Sequence, residues 1–206
     1  MEAIIEFPKM FASSTKESFG ASTNGDSALI EAAKKGSDDA FRRLIERHQN
    51  AIYQFCFRWL RDSEDAREAC QDTFVRAHRS LRRYRESGHF STWLYRIALN
   101  VCRDRHKSKS NRQRRETTSL THFAGEVAAS QPAPDEVVAR ANDLEKLHHG
   151  IQQLPEKLRV VMIICGIEGM SQEDCAGILD CSVRAVEGRL YRARQQLLVW
   201  WNQEEN

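Results

Sequence analysis

The stretch that decides the fold lies near the carboxyl end, where residues 171–197 read SQEDCAGILDCSVRAVEGRLYRARQQL. Ser171 and Ser182 are residues that commonly cap helices, and each precedes one half of this stretch. Between the two halves, Asp180 and Cys181 predict a turn. A short helix, a tight turn and a longer helix form a helix-turn-helix, whose second helix can enter the DNA major groove with its first residues.

The second helix of this stretch carries apolar residues at intervals of three and four, at Val183, Val186, Leu190, Ala193 and Leu197. Such spacing is also typical of a coiled coil, which needs three or four sustained heptads. The pattern here is shorter, and Gly188 interrupts it at a cost of about 1 kcal/mol relative to Ala. Arginines on the other faces suit a phosphate backbone. We interpret the helix as DNA-binding, with a dimer seam and a plain core helix as the alternatives.

Charge is unevenly distributed along the chain, although the net charge is only +2. Residues 76–115 hold thirteen Arg or Lys against two acids, and residues 62–72 hold five acids against Arg67 alone. Basic segments of this kind indicate a polyanionic partner such as nucleic acid. The basic segment also contains aromatic residues, which can stack on unpaired bases. A solvated surface is the alternative interpretation.

Residues that could carry chemistry do not converge in the sequence. The six cysteines form no CxxC pair, so the sequence predicts no metal site and no cofactor. Cys175 and Cys181 fall on apolar helix positions, where we expect packing, with a redox or metal role as the alternative. Asp65, Glu68 and Asp72 share a helix face, but no His, Gly-rich loop or nucleophile motif completes an active site. We therefore expect a protein-docking face rather than an enzyme; a nucleic-acid-cleaving enzyme is the alternative.

Helical periodicity recurs along the chain and strand alternation is not sustained, so the sequence predicts an all-α protein with two small helical domains and a flexible linker. The predicted parts are an N-terminal arm (1–26), a first bundle (27–107), a linker (108–134) and a second bundle with the helix-turn-helix (135–206). The first bundle should end with a helix from about Ser91 to Lys107. Pro155 fits the first turn of a later helix.

Targeting signals are not recognisable in the sequence. The N-terminal residues lack the apolar core of a signal peptide, and no window approaches the roughly 18 apolar residues that span a bilayer. We therefore expect a cytoplasmic protein with no membrane span of its own.

Three segments, taken in order, resemble bacterial sigma-70 family factors, and most closely the small extracytoplasmic-function (ECF) group. They are DAREACQDTFVRAHRSL, FSTWLYRIALNVCRDR, and LPEKLRVVMIICGIEGMSQEDCAGILDCSVRAVEGRLYRAR after the linker. The resemblance implies that the first bundle is sigma region 2 and the second is sigma region 4. The expected partners are core RNA polymerase (the clamp of its β′ subunit and its β flap), promoter DNA and an anti-sigma factor.

The resemblance also implies three groups of site residues. The helix that docks on the polymerase clamp would use Asp65, Glu68, Gln71 and Asp72. Recognition and melting of the promoter −10 element would use Phe90, Trp93, Arg96, Asn100 and Arg103. Recognition of the −35 element would use Ser182, Arg184, Glu187, Arg189, Tyr191 and Arg192.

The −35 segment departs from the family pattern at its start. Members often have T-V-[KR]-S-R where this chain has residues 185–189, AVEGR. Glu187 cannot hold a phosphate, although it can accept a hydrogen bond from a cytosine amino group. Arg184 stands where Gly is frequent and would supply a cation. The expected function is promoter-specific transcription initiation, and the alternative is a stand-alone helix-turn-helix regulator whose N-terminal bundle senses or dimerises.

Overall fold

The computed structural model describes residues 25–85, 89–116 and 145–204, with side chains to residue 108 in the second range and to residue 203 in the third. Every regular element in these ranges is helical, as predicted. None of the described helices combines the length and apolarity that crossing a bilayer requires. The predicted arm lies almost entirely outside the described residues, as does the predicted linker after residue 116.

The first bundle consists of four helices and one 3₁₀ turn. They are α1 (Asp26–Lys34), α2 (Asp38–Leu60), α3 (Ser63–Ser80), the 3₁₀ turn Leu81–Arg83 and α4 (Phe90–Glu116). Side chains cap two of these helices: Ser37 accepts a hydrogen bond from the amide of Ala40, and Asp62 accepts from the amides of Glu64 and Asp65. Each cap stabilises its helix by about 1 kcal/mol.

The core of the first bundle lies between α2, α3 and α4. Phe55, Trp59, Leu94 and Leu99 are almost completely buried there. Phe55 meets Tyr95 edge to face, with ring centroids 5.1 Å apart. Truncating a core aromatic such as Phe55 to Ala would cost about 3–5 kcal/mol, so this core holds the α3 and α4 surfaces in place.

Helix α4 is longer than predicted, since it continues past Lys107 to Glu116. The prediction ended the helix where the apolar residues end. Residues 108–116 read SKSNRQRRE and contain neither Pro nor Gly, so nothing in them interrupts the backbone hydrogen bonds. The polar continuation carries part of the basic segment on a helix.

The second bundle begins with helix α5 (145–153). Helix α6 (Glu156–Val161) runs on into a π-helical turn, Met162–Ile167, and α7 (Gln172–Leu179) and α8 (Val183–Glu204) follow. Pro155 is the N-cap of α6 rather than a first-turn residue, because its extended ψ of 142° places it just outside the helix. Gly169, with φ of 68°, turns the chain between the π-helical turn and α7.

Helices α7 and α8 form the predicted helix-turn-helix. Ser171 caps α7 by accepting from the amide of Asp174 at 3.0 Å, and Ser182 caps α8 by accepting from the amide of Ala185 at 3.3 Å. Asp180 adopts the left-handed conformation at φ 52° and ends α7. The predicted seam is buried at Val186, Leu190, Ala193 and Leu197. Because α8 packs against α6 and α7 of the same chain, this seam is not a dimer interface.

The two bundles also contact each other. Helix α4 packs along α7, and α2 meets the π-helical turn. The Arg159 guanidinium of α6 lies 4.8 Å from the centroid of the Trp59 ring of α2. The amide group of Gln152 donates to the Arg58 carbonyl at 2.9 Å. In this structure the segments predicted to bind the −10 element therefore face the second bundle.

Candidate docking and nucleic-acid interfaces

The acidic side of α3 faces α4. Arg105 of α4 donates to Glu68 at 2.7 Å and to Asp72 at 2.9 Å. Burial disfavours the charge of Arg105, but these two hydrogen bonds outweigh it and raise the pKa of the guanidinium. About half of each carboxylate side chain stays exposed. Two of the predicted docking acids thus form one anchored, partly exposed carboxylate pair.

The other two predicted docking residues are placed differently. Asp65 lies half-buried in the first turn of α3, and its amide is held by the Asp62 cap. Gln71 is exposed and lines a groove between α3 and α2. The structure therefore brings Glu68 and Asp72 together through Arg105 and places Gln71 at a separate groove.

Aromatic side chains form a cluster at the start of α4. The ring centroids of Tyr84, Phe90 and Trp93 lie 4.8–5.5 Å apart. Phe90 is buried, whereas Trp93 is half-buried and lines a cavity of about 520 Å³ between the bundles. Phe90 and Trp93 are the two aromatic residues predicted for the −10 element, and of these only Trp93 is accessible in this arrangement.

The cations that follow on α4 are engaged by the second bundle. Arg96 donates to the Gly177 carbonyl, and Arg103 donates to Glu156 at 2.8 Å. Thr92 donates to the Asp174 carboxylate at 2.9 Å. Asn100 is exposed. In this arrangement Arg96 and Arg103, two of the cations predicted for the −10 element, each have one nitrogen engaged by the second bundle.

The outer face of α8 presents most of the residues predicted for the −35 element. Arg184, Glu187, Tyr191 and Arg192 are exposed, and they are spaced so that they share one side of the helix. Tyr191 is 65% exposed, which is high for a large aromatic residue. Arg189 is half-buried and donates to the Cys181 sulfur at 3.6 Å, so it supports the turn. Ser182 is the helix cap.

The cysteines of the helix-turn-helix pack as expected. Cys175 is completely buried in α7, and Cys181 is half-buried in the turn. Among the described residues, no three His, Cys, Asp or Glu side chains are grouped as metal ligands would be.

Comparison with known proteins identifies both bundles. A model of sigma-70 region 2 matches residues 44–112, and a model of sigma-70 region 4 matches residues 144–197. The RNA polymerase sigma factor CnrH of Cupriavidus metallidurans is 34% identical over 177 residues, which are 84% of this chain and 93% of CnrH. The chain belongs to the sigma-70 family of RNA polymerase sigma factors, in its ECF group.

Further relatives agree with this assignment. The ECF sigma factor SigW of Bacillus subtilis is 31% identical to this sigma factor over 82% of the chain and 92% of SigW. The solved structure of CnrH in complex with the cytosolic domain of CnrY has a TM-score of 0.64 at 30% identity, covering 86% of this chain and 97% of CnrH. The sigma factor RpoE, solved with the anti-sigma factor NepR from Bartonella quintana, has a TM-score of 0.62 at 19% identity, covering 79% of this chain and 96% of RpoE, and supports the fold alone.

One buried group of this sigma factor was missed in the sequence. Glu168, just after the π-helical turn, is 6% exposed and accepts from Arg58 of α2 and from the Tyr95 hydroxyl of α4, the latter at 3.2 Å. Burial raises the pKa of the Glu168 carboxyl, against the opposing effect of Arg58. Burial, reinforced by Glu168, also raises the pKa of Tyr95 well above its usual value, which keeps the hydroxyl a donor. The sequence held one indication of this buried acid, because Glu168 is the only charged residue in the apolar run VVMIICGIEGM.

Proposed function

We propose that this sigma factor binds core RNA polymerase and directs transcription initiation at a restricted set of promoters. The observation that carries the proposal is that one chain matches region 2 and region 4 in order, and that its region 4 presents an exposed, capped helix-turn-helix face. The proposed limits are residues 27–107 for region 2, 108–134 for the linker and 135–206 for region 4. We assign the protein to the cytoplasm, where its polymerase partner acts.

The proposed mechanism is differential binding. The carboxylates Glu68 and Asp72, with Asp65 and Gln71, would dock on the polymerase clamp, while region 4 would contact the β flap. Trp93 would stack on an unpaired base of the −10 element, with Phe90 supporting it from the core and with Asn100, Arg96 and Arg103 along the strand. Since these groups bind an opened strand better than a duplex, binding would favour melting.

The proposed −35 contacts lie at the start of α8. Arg184 and Arg192 would contact phosphates or guanines, and Glu187 would accept from a cytosine amino group. Tyr191 lies on the same exposed face, and Ser182 and Arg189 would hold the helix start and the turn. Because Glu187 stands where a cation is frequent in the family, we expect a −35 sequence that differs from the commonest one.

The proposed partners include an anti-sigma factor. The relative CnrH was solved with the cytosolic domain of CnrY, so proteins of this fold can be held by a partner. In this chain, the anti-sigma factor would bind an arrangement in which Arg96 and Arg103 contact region 4.

The first prediction tests the function directly. Purified protein added to core polymerase on genomic DNA should give transcripts that begin at discrete sites, because promoter recognition would reside in this chain. The measurement is transcript 5′-end mapping, with core polymerase alone as the control. Transcripts no more specific than those of the core alone would refute the proposal. Tight binding to a palindromic duplex without polymerase would instead support a stand-alone regulator.

A further inference from the structure

An open apolar groove lies between α2 and α3 of region 2. Its volume is about 820 Å³, and its apolar walls are Phe41, Ile45, Tyr53, Cys70, Phe74 and Val75. Val75 is 41% exposed. A cavity of this size is in the range that accommodates ligands or inserted side chains. Ile45, Tyr53 and Cys70 are half-buried and Phe41 and Phe74 are buried, so the groove offers a partly exposed apolar surface, which neither the −10 nor the −35 assignment uses.

The rim of the groove is cationic. Arg67 and Arg79 line it, and its lining residues include no carboxylate. Arg67 pairs with Glu64 of its own helix at 3.2 Å, but both side chains are about 70% exposed, so this pair contributes at most about 1 kcal/mol. The groove therefore suits an apolar segment that carries carboxylates.

The chain itself contains such a segment. Residues 2–11 read EAIIEFPKMF, with five large apolar residues at Ile4, Ile5, Phe7, Met10 and Phe11. Glu2 and Glu6 lie among them, against the single cation Lys9. The match to region 2 starts only at residue 44, so these apolar residues lie outside it. Their apolar and acidic composition complements the apolar walls and cationic rim of the groove.

The first described residues lie against α2, the helix that forms one wall of the groove. A Cβ on Gly25 would lie 3.0 Å from Arg47 of α2, and Asp26 binds Arg47 at 2.9 Å and the adjacent His48 at 2.7 Å. Arg47 is two residues from the groove residues Ile45 and Gln49, which is about 3 Å along the helix axis but on the opposite side of the helix.

The length of the intervening chain is also sufficient. Residues 12–24 include six Ser or Thr residues. A random-coil chain of thirteen residues spans about 20 Å on average. A helix is about 10–12 Å across, so the groove lies within that span of Gly25. A tether this short gives an effective concentration on the order of millimolar, at which even a weakly binding segment is largely bound.

We propose that residues 2–11 bind in the α2–α3 groove of the same chain. The apolar residues of the segment contact the groove walls, and Glu2 and Glu6 lie near Arg67 and Arg79. Gln71 lines the groove and belongs to the docking face proposed above, so the bound segment covers part of the surface that the polymerase clamp needs. This regulatory consequence rests on the proposed function, whereas the binding itself does not.

The binding is tested by methyl NMR on the full chain. Replacing both apolar residues in an Ile4→Asp/Phe7→Asp variant should shift the methyl signals of Ile45 and Val75, and adding a peptide of residues 1–14 should restore them. The matched control is Phe19→Asp/Ala21→Asp, which introduces the same two charges outside the segment and should leave both signals unchanged. Identical signals in the wild type and the double variant would overturn the proposal. A shift of the wild-type signals on dilution would also overturn it, in favour of a segment supplied by a second copy.

The consequence is tested by binding to core polymerase. The double variant should bind the core about two- to tenfold more tightly than the wild type, because the docking face is no longer partly covered. Equal affinities, with NMR showing a bound segment, would refute the competition. Failure of both proteins to bind core polymerase would count against the proposed function and leave the NMR result standing.

Discussion

At the scale of single residues, the two nucleic-acid faces differ in how their cations are held. On α4, Arg96 and Arg103 are bound to region 4, and Arg105 is bound to the α3 carboxylates. On α8, Arg184 is exposed at the helix start, and Arg192 donates only its Nε to the Gly188 carbonyl at 3.1 Å in the contacts described. In the contacts described, Arg184 and Arg192 therefore have no partner outside α8, unlike Arg96 and Arg103.

The second prediction concerns Arg184. Arg184→Glu should reduce transcription from a cognate promoter roughly tenfold, because losing a phosphate or base contact costs about 1–3 kcal/mol. Binding to core polymerase should be unchanged. Transcription assays and core-binding titrations measure the two effects. Arg42→Glu, the same charge change on the exposed surface of region 2, is the matched control. A parallel loss of core binding in Arg184→Glu would show that α8 does not act through DNA alone.

At the scale of elements, the helices are positioned by caps and by small residues at close approaches. Ala176 of α7 is buried where the helix-turn-helix packs together. Gly150 of α5 lies against α8, since a Cβ there would be 2.5 Å from the Trp200 ring. Gly188 differs, because a Cβ at this position on α8 would meet nothing within 4 Å. A side chain is therefore excluded at Gly150 by the packing of α5 on α8, whereas the surroundings of Gly188 leave room for one.

The third prediction compares these glycines. Gly188→Ala should stabilise the protein by about 0.5–1 kcal/mol, since Ala favours the helix, and raise Tm by roughly 2–4 °C. Gly150→Ala should destabilise it by about 1–3 kcal/mol, because the added methyl clashes with Trp200. Thermal unfolding followed by circular dichroism measures both. A fall in Tm for both variants would contradict the open surroundings of Gly188.

At the scale of the whole molecule, Glu168 is the central contact between the bundles. Its carboxylate joins Arg58 of α2 and Tyr95 of α4 to the turn before α7, and the exposed pair Arg103–Glu156 lies further along α4. Under the proposed −10 assignment, a strand that used the engaged nitrogens of Arg96 and Arg103 would compete with their contacts to region 4.

The fourth prediction uses the raised pKa of Glu168. A raised pKa means that the folded state binds the proton more tightly, so this group stabilises folding below its ordinary value of 4.5 and loses that contribution as pH rises through the raised value. The free energy of unfolding of the wild type, minus that of Glu168→Gln, should therefore fall as pH rises above 4.5. Urea unfolding at a series of pH values measures it.

The control for this prediction is Glu64→Gln. Glu64 is exposed on α3 and pairs only within its own helix in the contacts described. Its difference curve gives the effect of removing an exposed carboxylate, against which the curve for Glu168→Gln is compared. If the difference in free energy of unfolding between the wild type and Glu168→Gln is flat or increases with pH, burial does not outweigh the effect of Arg58 on the pKa of this carboxyl.

The sequence by itself determined the all-α fold, the caps at Ser171 and Ser182, the helix-turn-helix and the resemblance to sigma factors. These depend on hydrogen bonds within a few residues and on apolar periodicity, both of which are local. The tertiary structure alone decided that Glu168 is buried beside Arg58, that Arg96 and Arg103 face region 4, and that an open groove separates α2 from α3. The residues joined by these contacts lie 53–110 positions apart in the sequence. The groove depends on how two helices pack. No local sequence pattern specifies either feature.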